Sequence, residues 1–298
     1  LGFLGPGKKA PSFKGGISFV LIVAVAVLLG VVMARQIHRP YLMVPVIGVL
    51  LLNIFYSNHP FLNPMSKVWM IIALLMLPMM NLLYPDLSSE IAMMLILGAT
   101  ITILMVWVVF GLFPDKEKVD MGTAAQPPPT YTSTERFNRA LLSTLVILPV
   151  FILFYTFQLA GAILILIFIG ILSMEPSFAK NFQTGKALII GNVLGGIIAI
   201  IVYNLLVVAP HFNFLVLVVL SVGFVLGNIF FSDRKAAPLF NMAYSTFILV
   251  IGSTTGEFAS VDAGEKMLSR ILQMLAAVTY VVVIFGIIEK WKEKPQLS

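Results

Sequence analysis

Apolar residues in this chain come in long unbroken runs, and polar residues gather in short stretches between them. Ten such runs stand out: Ile17–Ala34, Tyr41–Tyr56, Val68–Tyr84, Ile91–Phe113, Ala140–Phe157, Ala160–Met174, Lys186–Ala209, Phe212–Phe231, Ala236–Ser253 and Leu268–Ile288. A helix needs about 20 apolar residues to cross a hydrocarbon core of about 30 Å. Most of the runs are of that order; Tyr41–Tyr56 and Ala160–Met174 are short. None alternates apolar with polar, which argues against a transmembrane β-barrel. The pattern predicts an all-α fold, a polytopic transmembrane helix bundle of about ten visible helices.

Prolines punctuate the pattern. Pro40, Pro60, Pro64, Pro85, Pro114, Pro176, Pro210 and Pro238 fall at or near the expected helix ends, where the missing N–H and fixed φ cost least. Pro45, Pro78 and Pro149 fall inside runs. Such prolines act as tolerated kinks in membrane helices, or as hinges beside a pathway.

Composition narrows the class. The chain is 59% hydrophobic and 11% charged, whereas an ordinary soluble domain carries about 25% charged residues. Its mean hydropathy is +1.02. Too few charges are present to cover the surface of a soluble fold, so an integral membrane protein is the consistent reading. The absence of cysteine excludes disulfides, thiolate metal sites and cysteine nucleophiles. The net charge of +6 is scattered through short loops, which makes it a topology signal rather than a nucleic-acid surface. With ten spans, 15 of the 19 lysines and arginines fall on the side of the N-terminus. Both visible termini and the long polar connection 114–137 are therefore expected in the cytoplasm.

That connection holds Asp115-Lys116-Glu117-Lys118 and Pro127-Pro128-Pro129, and it reads as an extended cytoplasmic linker. It separates a first transmembrane segment, 1–113, from a second, 138–291, with 292–298 as a cytoplasmic tail. Pro11-Ser12-Phe13 before the first helix is matched by Pro176-Ser177-Phe178 before the seventh. Helices one to four then correspond in order to helices seven to ten. Helices five and six lack partners. The expectation is two same-orientation repeats of six, with the first two helices missing from this chain.

Enzyme signatures are missing: there is no HExxH, Walker A, G-x-S-x-G or EF-hand pattern. The three histidines, His38, His59 and His211, are far apart, so neither catalysis nor a metal centre is expected. No acid falls in the middle of an expected helix, so coupling to an ion gradient would fall to an acid near one mouth, Asp262 or Glu265, or to a helix before Leu1.

The most informative stretch runs from Met174 to Gly196. Thr184 suits an N-cap, which would aim free amides, Lys186 and Lys180 at the cytoplasm as a positive helix end. Gly191 and Gly195 form a G-x-x-x-G pattern for close helix approach, with Asn192 on or near that face. This arrangement suits a site drawing an organic anion between packed helices. It equally suits positive-inside lysines on a glycine-packed helix. Asn241, Tyr244, Ser245 and Thr246 crowd one later helix, and Tyr244 with Phe247 can stack on an aromatic ring. Other polar groups at membrane depth, including Asn81, Thr100, Thr102, Asn204 and Tyr280, are expected to bond between helices. The most polar external loop spans Thr254-Thr255-Gly256-Glu257 and Asp262-Ala263-Gly264-Glu265-Lys266, with Arg270 after it.

Several of these elements together resemble the fusaric acid resistance and aromatic acid exporter superfamily, and within it a compact membrane branch. The resemblance is carried by Met174-Glu175-Pro176-Ser177-Phe178, Gly185-Lys186-Ala187-Leu188 and Gly191-Asn192-x-x-Gly195-Gly196. It continues through Tyr244-Ser245-Thr246-Phe247, Gly252-Ser253-Thr254-Thr255-Gly256 and Asp262-Ala263-Gly264-Glu265-Lys266 with Arg270. Larger members carry a cytoplasmic domain between the halves, where this chain has only the linker. The resemblance implies a secondary transporter in a bacterial inner membrane that exports small organic, aromatic acids. It implies no cofactor, and as partners the lipid bilayer and a periplasmic membrane fusion protein, with homo-oligomerisation open. Lys180, Thr184, Lys186, Asn192, Asn241, Tyr244, Thr246 and Arg270 are then the candidate substrate contacts. The competing reading is a non-transporting scaffold or accessory subunit, in which the polar residues pair with one another.

Overall fold

The computed structural model describes residues 11–58, 62, 64–83, 87–112, 132–159, 162–174, 178–230, 237–255 and 263–293. Among them the chain is all-helical. The order is α1 (Phe13–Arg35), α2 (Pro40–Tyr56), α3 (Pro64–Leu83), α4 (Leu87–Leu112), α5 (Ser133–Thr156), α6 (Ile163–Leu172), α7 (Phe178–Val208), α8 (Phe212–Phe230), α9 (Ala237–Thr255) and α10 (Ala263–Glu293). Each apolar run yields one helix. Seven helices are long and apolar enough to cross a membrane, while α2, α6 and the apolar part of α9 are shorter. The ten-residue α6 spans about 15 Å, half a hydrocarbon core. It is buried along most of its length rather than exposed as an independent span.

Several helices begin a few residues before the apolar run, and at α1 and α5 a polar cap supplies the first turn. Ser12 Oγ accepts the Gly15 N–H at 3.1 Å, so α1 starts at Phe13 rather than Ile17. Thr132 and Glu135 form a capping box, with the Thr132 N–H donating to Glu135 Oε2 at 3.0 Å and the Glu135 N–H to Thr132 Oγ1 at 3.3 Å. α5 therefore takes in Ser133 to Phe137, which the sequence pattern assigns to the linker. Residues 113–131 of that linker lie outside the described residues.

The chain divides into two compact units, one of residues 1–6 and 179–279, the other of 7–178 and 280–298. In the larger unit α1 packs along α3 and α4, α5 lies on α2, and α6 lies on α3 and α5. Its α1–α3 seam is built on small residues. Ala26, Gly30 and Ala34 are all buried, and a Cβ on Gly30 would stand 2.6 Å from the Ala73 carbonyl oxygen. Gly170 of α6 similarly admits Ile71 of α3. Asn81 Nδ2 bonds to the Ala34 carbonyl at 3.1 Å, Ser143 Oγ to the Ser173 carbonyl at 2.6 Å, and Tyr280 Oη to the Val146 carbonyl at 2.9 Å.

The smaller unit packs α8 on α9. Its core is Ala199, Val202, Leu206, Phe247, Val250 and Ile251. One face of α8, with Phe214, Leu215, Val218, Val219 and Val222, packs on this core, and the other, with Val216, Leu217, Leu220, Phe224 and Val225, is exposed. In lipid, apolar exposure carries no penalty and close backbone contact supplies the packing energy. The same small-residue logic returns here. Gly191 and Gly195 stand as far from Phe178 as Ala26 and Gly30 stand from Phe13, and Ala199 matches Ala34. A Cβ on Gly195 would collide with the Ala243 carbonyl oxygen. In each unit, then, a glycine of the helix that follows Pro-Ser-Phe lies against an alanine carbonyl of the next helix but one.

The turn after α5 closes without glycine. Leu159 N–H bonds to the Phe154 carbonyl and Gln158 N–H to the Tyr155 carbonyl, at 3.0 and 3.3 Å, and Gln158 has φ 51°. This is a Schellman ending with glutamine in the left-handed position, which costs about 1 kcal/mol against glycine. Gln158→Gly should therefore stabilise the protein by about 1 kcal/mol, seen as a raised melting temperature in detergent. An unchanged or lowered melting temperature would contradict this geometry.

Candidate functional site

The smaller unit holds the largest share of the residues singled out in the sequence. α7 starts at Phe178, not at Lys186. Thr184 therefore lies within the helix and is not its N-cap. The sequence before it, Pro176-Ser177-Phe178, repeats the Pro-Ser-Phe of α1, where Ser12 caps the helix just before Phe13; Ser177 itself lies outside the described residues. The free amides of a first turn consequently lie at 178–181, more than a turn before Lys186. Lys186 is exposed. Lys180 and Thr184 are on the first two turns of α7 and Glu265 and Arg270 on the first two turns of α10, but their side chains lie outside the described residues. So does Asp262 altogether, with the rest of the loop 256–262.

Asn192 and Thr246 do come together. Both are buried, and Thr246 Oγ1 donates to Asn192 Oδ1 at 2.6 Å. Asn192 Nδ2 donates back to the Leu188 carbonyl at 2.8 Å. The bond forms because glycines bring the helices within reach. A Cβ on Gly191 would lie 2.7 Å from Met242 Cβ, and one on Gly195 2.9 Å from Thr246 Cβ. At this spot α1 carries Val27 in place of Asn192; Val27 is 1% exposed. Two seams of one plan thus differ in chemistry: one is apolar, the other holds a polar pair.

Asn241 and Tyr244 lie on the same helix, α9. Ser245 Oγ bonds to the Asn241 carbonyl at 3.0 Å. Asn241 Oδ1 is buried and without a hydrogen-bond partner, an acceptor that a ligand N–H or O–H can satisfy. Tyr244 stacks on Phe247 with ring centres 6.1 Å apart and planes 26° apart. Its hydroxyl lies where a Cβ on Gly223 would stand, 2.9 Å away. Gly223 of α8 thus makes room for the phenol, a role the sequence pattern does not reveal. At the α7–α8 turn, Tyr203, Leu206, Val207, Pro210, His211, Phe212 and Leu215 line an open groove of about 310 Å³. Loop spacing alone gave no reason to join His211 to Tyr203.

Several other polar groups expected between helices bond within their own. Thr100, Thr102 and Asn204 each donate to the carbonyl four residues back, at 2.8, 2.7 and 2.9 Å. Short polar side chains reach that carbonyl without any neighbour. Asn81, Tyr280 and Thr246 do bond beyond their own helices. Among the described residues no group of three or more His, Cys, Asp or Glu is placed to hold a metal ion.

The segment that builds α7 to α9 also carries the similarity to known proteins. Residues 146–284 match the family model described as fusaric acid resistance protein-like. Across that segment, somewhat under half of the chain, the protein is similar to that family. No curated protein and no solved structure matches. With seven helices among the described residues long and apolar enough to cross a membrane, the similarity fits a multi-pass membrane protein.

The Asn192–Thr246 bond makes a direct prediction. Thr246→Val should cost about 0.6–1.7 kcal/mol, the range for a hydrogen bond between membrane helices. Adding Asn192→Val should restore most of that loss, because removing both partners leaves no unpaired group and copies the Val27 seam. Thermal unfolding in detergent gives both values, and a double variant less stable than the single would contradict the pairing.

Proposed function

We propose that this protein is an inner-membrane secondary transporter that exports small organic acids, aromatic ones foremost. The observation that carries the reading is the buried, unpartnered Asn241 Oδ1 on α9, the helix that also supplies Thr246 to the bond with Asn192, within the segment similar to the fusaric acid resistance protein-like family. Along α7 three features follow in order: exposed Lys186, buried Asn192, then Tyr203 on the groove with His211. From Lys186 to Tyr203 is about 25 Å at helical rise, close to the thickness of a hydrocarbon core.

In this reading Lys186, with Lys180, attracts the carboxylate at the cytoplasmic mouth. Asn241 accepts a hydrogen bond from a hydroxyl or N–H of the substrate, and the Tyr244–Phe247 pair offers its faces to the ring. Gly191 and Gly195 give α7 a smooth face against α9, along which the helices can shift with little side-chain interlocking. Arg270, Thr184 and an acid at 262 or 265 complete the proposed path, the acid coupling export to an ion gradient. A periplasmic membrane fusion protein would extend the route outward.

A second reading is favoured by one observation: Asn192 and Thr246 satisfy each other, as they would in a scaffold or accessory subunit without transport. Proteoliposomes separate the two. The transporter should release a labelled aromatic carboxylate, and Lys186→Ala should slow release by about fivefold, the effect of one cation near a membrane surface. No release of any acid across a broad panel would leave the scaffold.

A further inference from the structure

A cleft in the larger unit joins a cation to an apolar floor, in a part of the chain that lies before the segment similar to known proteins. α1 and α2 both pack on α3, and the three helices leave an open cleft of about 210 Å³ lined by Leu29, Leu50, Asn53, Ile54, Met70 and Leu74. Lys67, Met70 and Leu74 stand three and four residues apart, so they share one face of α3; Leu50, Asn53 and, just past the helix end, Ser57 do the same on α2. Half-buried Lys67 donates from Nζ to the Ser57 carbonyl. That bond joins the two rows at one end, and the next members of each row line the cleft. From Lys67 to Leu74 is about 10 Å at helical rise. The cleft is therefore polar at its Lys67 end and apolar along the rest.

Both polar side chains at that end have bonding capacity left. The Ser57 carbonyl is neutral, so it orients the ammonium without cancelling its charge, and it takes one of the three donors that a lysine carries. Asn81, Asn192 and Asn204 each donate to a backbone carbonyl, whereas exposed Asn53 makes no side-chain hydrogen bond among the described residues. An ammonium and an amide N–H are donors that one carboxylate can accept from together. The floor asks for a different chemistry. A cavity of about 150 Å³ with aliphatic walls takes up benzene, so a cleft of about 210 Å³ has room for one ring and a short substituent. A second charge on the ligand would meet only aliphatic side chains there and lose its hydration uncompensated.

We propose that this cleft binds a small amphiphilic carboxylate, with a single ring or a branched apolar body on the floor and the carboxylate on Lys67 Nζ and Asn53 Nδ2. A ligand held this way ties α2 to α3 at the Lys67 end. The proposal stands whether or not the protein transports, because it concerns binding at equilibrium.

The test is equilibrium dialysis of labelled benzoate against the full chain in detergent micelles, with empty micelles as the blank. Benzoate should bind saturably, one per chain. Lys67→Gln and Asn53→Leu should each weaken it about tenfold, the effect of one hydrogen bond to a charged group, while Lys67→Arg should retain it and guard against a folding defect. Leu29→Phe, which fills the floor and changes neither polar group, should abolish binding. Acetate, which lacks the ring, and benzyl alcohol, which lacks the charge, should each need about tenfold more than unlabelled benzoate to displace the label. Equal binding by the natural chain and a folded Lys67→Gln, Asn53→Leu double variant would overturn the proposal, as would displacement by acetate as readily as by benzoate. Displacement by an equimolar amount of phosphatidylglycerol would overturn the small-ligand assignment and make the cleft a lipid site.

Discussion

Close approach of backbone to backbone is the constraint on which this structure depends. Lipid tails are as apolar as the helices they surround, so burying leucine gains little. Helices hold together where small residues let main chains touch and dispersion contacts accumulate. Gly30 against the Ala73 carbonyl and Gly195 against the Ala243 carbonyl are those points of contact. Larger residues at either place would force the helices apart. At Gly195 the 2.6 Å bond from Thr246 to Asn192 would then be lost as well, because neither side chain is long enough to span a wider gap.

The two seams share a plan and differ in content. Ala26, Gly30 and Ala34 line one; Gly191, Gly195 and Ala199 occupy the matching places along the other. Val27 keeps the first apolar, and Asn192 makes the second polar. A polar pair at such depth is stable only while satisfied. It therefore fixes register more sharply than valine does, and it leaves a group ready to exchange partners if the seam shifts. Asn241 Oδ1, already buried and unpartnered, lies on the same helix as Thr246.

Much of the fold was legible in the sequence, because a bilayer allows few solutions. Ten apolar runs gave ten helices, and the interior prolines 45, 78 and 149 stayed inside theirs. Helix starts were less legible. An apolar run marks where lipid begins, whereas a helix starts at its cap; Ser12 and the Thr132–Glu135 box therefore moved α1 and α5 outward. Reading Pro-Ser-Phe as a capping element would have placed the start of α7 correctly and removed Thr184 as a cap. At the site, the G-x-x-x-G pattern and the α9 polar cluster pointed to α7 and α9, but not to the pairing of Asn192 with Thr246. Gly223 under Tyr244, and His211 with Tyr203, depend on contacts between helices that no single-helix pattern contains.

The glycine seam can be tested directly, since the chain has no cysteine of its own. Asn192→Cys and Thr246→Cys, introduced together and oxidised in native membranes, measure whether α7 and α9 meet as described, since these two side chains touch across the seam. The account predicts rapid disulfide formation for that pair. It predicts none for Asn192→Cys with Ile248→Cys, because Ile248 is exposed on the far side of α9 from Thr246. Failure of the first pair to link, or equal linking by both, would contradict the seam.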